Sequence, residues 1–241
     1  MTEAEWLTCP DPEVMLKFLP GRPNERKLRL FACACARRVW SFMTERCSRD
    51  AVIAAEQFAD GLGDRHTLDN ARKAIRADFR NRQRCKVRQR AWIETANAER
   101  AEARAASWAG AWDTARETLR ADAHAAACRT AYAAAITYSS VWGKKANRVE
   151  EAARQVSILR DMFDNPFRTI SVNSLWLGWN DNTVPRLAQA IYEQRAFDRL
   201  PILADALEEA GCTNADILNH CRQPGEHVRG CWVVDLMLGK S

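Results

Sequence analysis

The chain has 241 residues, 47% of them hydrophobic and 28% charged, with a formal net charge of +5. That is ordinary globular composition, and a chain this long buries about 70% of its unfolded surface, so collagen, disorder and disulfide-stapled miniproteins are excluded. The charge is uneven: from Asp161 onward there are 7 Lys/Arg against 11 Asp/Glu, and before it 29 against 20. Such an imbalance bears on partner choice and steering, not on fold.

The first fourteen residues are acidic without a base and lack the basic start and apolar run of a secretory signal. The most apolar-looking stretch, 123–139, is mostly alanine and interrupted by Arg129, short of the 18 to 20 apolar residues a span needs. No membrane partner is expected. Nine cysteines, an odd number without regular spacing, read as reduced cytoplasmic thiols.

In chain order, Asn24 is a predicted N-cap for a helix from Glu25, with Leu28, Phe31, Cys35, Val39 and Phe42 as its buried stripe. Ser48 is the predicted cap of a second helix that stops at Gly61 and Gly63, and Thr67 of a third. No proline occurs between Pro23 and Pro166, and Gly110 is the only glycine between Gly63 and Gly143. Filled with Ala, Arg and Glu, this block is predicted as long helices, broken near 80–85 and hinged near Gly110. A further helix is expected over 147–162. After it come a packed loop with a short strand at 170–172, then short helices over 184–194, 201–210, 214–221 and 227–237. The fold class is all-α: a helical bundle with a long Ala-rich hairpin over 1–165 and a compact C-terminal helical unit over 166–241.

Three constellations could carry function. Cys212, Cys221, His227 and Cys231 offer the thiolate and imidazole ligands that zinc prefers, with His220 nearby, although no Cys-x2-Cys knuckle is present. Buried structural thiols are the competing reading, and a Cys–His nucleophile, its thiol pKa depressed by Arg222 or Arg229, is a third. Nine cations between Arg72 and Arg90 surround the single acid Asp78. Among them Arg76, Arg80, Arg84 and Arg88 fall four apart on one helix side, and with Arg72 and Lys73 they could track phosphates or face solvent. Trp176 and Trp179, if exposed on a loop, would anchor a protein partner. The turn at Pro224-Gly225 is expected to present Glu226 and His227 outward.

The segments EAEWL (3–7), ERKLRLFACACARRVW (25–40), LRDMFDNPFR (159–168) and the run from RAFDRLPILADALEEAGC (195–212) to HCRQPGEHVRGCWVVDLMLGK (220–240) resemble an uncharacterised paralogous family of planctomycete-type bacterial proteins. The resemblance covers roughly half the chain. It implies an intracellular helical protein and transfers no functional residue. No phosphate loop, dinucleotide fingerprint, nucleophile elbow or His-Glu-x-x-His is present, and no catalytic residue is assigned. The leading expectation is therefore a non-enzymatic cytoplasmic module that binds another protein. The alternatives are a nucleic-acid or other polyanion binder working through 72–90, and a zinc-dependent or thiol enzyme built on the C-terminal Cys/His cluster.

Overall fold

The computed structural model describes residues 1–19, 24–93, 109–142 and 145–240. The fold is an all-α helical bundle, with no strand among the described residues; the expected strand at 170–172 is irregular chain. By contact the chain divides into two compact units, Met1–Cys9 with Ser157–Ser241, and Pro10–Val156.

The 10–156 unit is built round α3 (Glu25–Arg38), which packs on α4 (Arg46–Ala59) and α7 (Ala123–Trp142), while α4 packs on α5 (Arg65–Ile93). Asn24 does cap α3, its side chain accepting from Lys27 N. The buried surface is wider than the expected stripe: every residue from Leu28 to Ala36 is buried, as befits a helix enclosed on all sides. That burial includes Arg29, whose guanidinium donates to the carbonyls of Thr118, Arg120 and Ala121, where the helical segment 109–118 ends. Arg72 donates to the Leu119 carbonyl at the same place. Two cations thus answer the orphan carbonyls and the negative dipole of one helix C-terminus.

Several boundaries differ from the sequence expectation. Ser48 lies buried inside α4, and Glu45 precedes the helix without a side-chain cap. Asp64, not Thr67, opens α5, accepting from the Thr67 amide and hydroxyl. Helix α5 runs unbroken through 80–85, because no glycine or proline there disrupts its ladder. Gly110 lies in the helical segment 109–118, where an added Cβ would overlap Thr137 Oγ1; the chain before it, 94–108, lies outside the described residues, and among the described residues a break falls at 119–122. This glycine allows two helices to approach closely.

Helix α8 (Lys145–Phe163) carries Glu151, fully buried and bidentate to Arg38 at 2.9 Å, with Gln155 completing the cluster through Glu151 and the Ala131 carbonyl. In the other unit, α1 (Glu3–Thr8) is held by the fully buried Trp6, whose indole N–H donates to the Asp164 carbonyl at 2.8 Å. Arg160 donates to the carbonyls of Trp6 and Cys9. The core of this unit joins α10 (Thr183–Gln194), α11 (Leu200–Glu209), α12 (Ala215–Arg222) and α13 (Trp232–Leu238), with Ile191, Leu203, Leu207, Ile217 and Val233 fully enclosed. Residues 227–231 are not helical: Gly230 adopts φ +93°, and α13 starts only at Trp232. No helix among the described residues is long and apolar enough to cross a membrane.

Candidate functional site

Asp161, in the last turn of α8, meets His220 from α12 and His227 from the 223–231 loop. Its Oδ1 lies 2.5 Å from His227 Nδ1 and 3.2 Å from His220 Nε2, and its Oδ2 accepts the Val228 amide at 3.0 Å. His220 Nε2 is also 3.2 Å from the thiol of Cys231, the residue that precedes α13. Asp161, His220, His227 and Cys231 form a cluster able to hold a metal ion, their ligand atoms all lying within 4.8 Å of one another. Ligands on one tetrahedral zinc lie about 3.3–3.6 Å apart, so this set would need to contract by about 1 Å.

Burial alone would raise the pKa of the Asp161 carboxyl, but the hydrogen bonds and charges of His220 and His227 outweigh it and hold the group below the usual carboxylate range. Burial likewise opposes the His227 imidazolium, and the bond to Asp161 overrides it and raises the ring's pKa. Burial pushes the Cys231 thiol well above its ordinary value, with the Asp161 charge adding to the shift.

The expected metal set is corrected in half its members. His227 and Cys231 belong to the cluster, while Cys212 and Cys221 belong to the hydrophobic core of the unit. Adjacent helical residues point about 100° apart, so when His220 faces the cluster Cys221 faces the core. Cys221 is pushed up to about 12, chiefly by burial. Arg222, engaged by Asp205 and Glu208, does pull that thiol down as expected, but by less than burial pushes it up. At pH 8 about one Cys221 in 10⁴ is then a thiolate, and its modification rate should rise tenfold per pH unit toward 12. Kinetics with a thiol-reactive dye, with and without denaturant, check this; rapid labelling of Cys221 in the folded protein at pH 8 contradicts it.

The turn at 224–225 leaves Glu226 exposed but turns His227 inward, its side chain only 8% exposed, because the Asp161 carboxylate draws the ring in. Two members of the cluster are absent from the expected metal set, Asp161 and His220. An acid in the final turn of a helix, against the dipole, was the available signal for Asp161. Trp176 is buried in the unit's core and Trp179 packs partly buried against it, so they do not form an exposed anchor pair; the apolar enclosure outbids solvent for both rings. On α5, Arg72 is engaged by Leu119 and Asp69, whereas Lys73, Arg76 and Arg80 are exposed. The side chains of Arg84 and Arg88 lie outside the described residues.

The cluster borders a polar cavity of about 450 Å³ to which Asp161, His220, His227 and Trp232 all contribute. Two arginines, Arg160 and Arg168, line it against four acids, Asp161, Asp164, Asp216 and Glu226, a balance that favours a cation. No family model matches the chain, and no curated protein or solved structure shows significant similarity to it.

Proposed function

We propose that this is a zinc-binding protein whose C-terminal unit takes one ion at the Asp161, His220, His227 and Cys231 cluster. The observation that carries the reading is the convergence of two imidazoles, a thiol and a carboxylate from three separate segments, with ligand atoms within 4.8 Å. Nitrogen and sulfur donors suit zinc and disfavour magnesium or calcium, which require oxygen. A divalent ion would also offset the carboxylate of Asp161 and the thiolate of Cys231, leaving little net charge in a buried site. The ion's field supplies what the thiol lacks, since a coordinated thiol is deprotonated outright whatever its free pKa. In this reading the ion fastens α8, α12 and the 223–231 loop together, and binding energy becomes folding energy.

Elemental analysis of protein purified with neither chelator nor added metal is the test. About one zinc per chain is expected, and less than about a tenth of that in His227→Ala and Cys231→Ala. Metal-free wild-type protein that remains empty when titrated with zinc overturns the reading.

A further inference from the structure

The two imidazoles of the cluster are not equivalent. A metal-binding histidine needs a lone pair on one ring nitrogen and an acceptor for the N–H on the other. His227 can meet both conditions: Nδ1 stands in the cluster, 2.5 Å from the Asp161 carboxylate, and the other nitrogen of the ring, which lines the cavity, is buried where the Gln223 backbone can accept its N–H. A backbone carbonyl holding one nitrogen while the other is left for an ion is a usual outer arrangement of a metal site.

His220 is wired the opposite way. The indole N–H of Trp232, which can only donate, reaches His220 Nδ1 at 2.9 Å, so that nitrogen must accept. The amide of Gln223 stands 3.3 Å from the same atom. The ring proton therefore sits on Nε2, between Asp161 Oδ1 and Cys231 Sγ, each 3.2 Å away. Both nitrogens are committed, and neither has a lone pair to give. Ligation through Nε2 would move the proton to Nδ1 and set it against the Trp232 N–H.

We propose, resting on the zinc reading, that His220 is a positioning residue and not a ligand: Trp232 fixes its tautomer so that its Nε2–H holds the carboxylate of Asp161 and the sulfur of Cys231. The ion then has at most three protein ligands, His227, Cys231 and Asp161, and keeps at least one exchangeable position. That position faces the polar cavity, because Asp161 and His227 line it and Cys231 does not. Sites with three protein ligands and an open fourth position act on exogenous ligands, whereas structural zinc sites are closed. The ligand class that fits is a small anion or a neutral oxygen donor, because zinc with one carboxylate and one thiolate carries no charge that would repel either.

Cobalt(II) replaces zinc as a visible probe in the full chain, with azide as the exogenous ligand. In the wild type, azide should change the cobalt spectrum while the sulfur-to-cobalt absorption persists. His220→Gln retains an N–H donor and should still bind cobalt with that absorption and the azide response, at an affinity about 10–100-fold weaker, the usual effect of losing an outer-shell partner. His227→Gln should not bind the ion. A folded His220→Gln that takes up no cobalt, or a wild-type spectrum indifferent to azide, shows four protein ligands and overturns this inference while leaving the zinc reading intact. If His220→Gln does not fold, as circular dichroism would show, the azide titration of the wild type decides alone. Wild-type protein that takes up neither cobalt nor zinc removes both.

Discussion

Replacing Glu151 with alanine should destabilise the protein by about 3–5 kcal/mol, because the buried guanidinium of Arg38 then loses its carboxylate where water cannot take its place. Gln155 loses a partner as well, since its amide donates to the same oxygen. The companion experiment is the double replacement Arg38→Met with Glu151→Leu, which removes both charges and refills the space with apolar volume. Buried pairs often exchange for hydrophobic residues at little cost, so the double variant should unfold at a denaturant midpoint far closer to wild type than Glu151→Ala does. A Glu151→Ala loss below about 1 kcal/mol would mean that water reaches the pair, as at exposed salt bridges.

The second large effect is expected at Asp161. Its two oxygens accept from His220, His227 and the Val228 amide, so Asp161→Ala strands three donors in a site where the carboxylate is only 4% exposed. In ion-free protein this should cost about 3–5 kcal/mol, the range for removing one member of a buried charged network. Wild-type protein carrying zinc should show a larger difference from the variant, and a chelator should narrow it to the ion-free value, because the variant has no ion to lose. Equilibrium unfolding with and without chelator measures both quantities. A chelator that leaves the wild-type midpoint unchanged would separate the hydrogen-bonded network from any metal.

The helical architecture was legible because its signals are local. Asn24 ahead of Glu25 and Pro185 in the first turn of α10 act within one turn of chain, and each stands where expected. Misplaced features depended on tertiary surroundings. Nothing in the sequence marks Gly110 as the point where a neighbouring helix comes close, and only the position of Thr137 reveals it. Ser48 has good capping chemistry but is carried into the interior of α4 by the burial of Ala51, Val52 and Ala55. The candidate site was half legible: His227 and Cys231 stood out as residue types suited to a metal in a short tail. Asp161 lies 59 residues before His220 in an amphipathic helix whose pattern accounts for every neighbour, so the pairing is a fact of topology.

The placement of Met1–Cys9 in the same compact unit as Ser157–Ser241 has a temporal consequence. Trp6 and Arg160 are joined across about 150 residues, so the first helix leaves the ribosome long before its partners exist. At about 5–20 residues per second, α1 waits roughly 7–30 s with its tryptophan exposed. The intervening 147 residues are the other compact unit, which can form during that interval. Its collapse replaces a long flexible loop with a short effective one, lowering the entropy of closure when the second unit finally assembles. The order of synthesis and the order of folding therefore need not coincide: a segment made about 150 residues ahead of its partners is among the last to find its place.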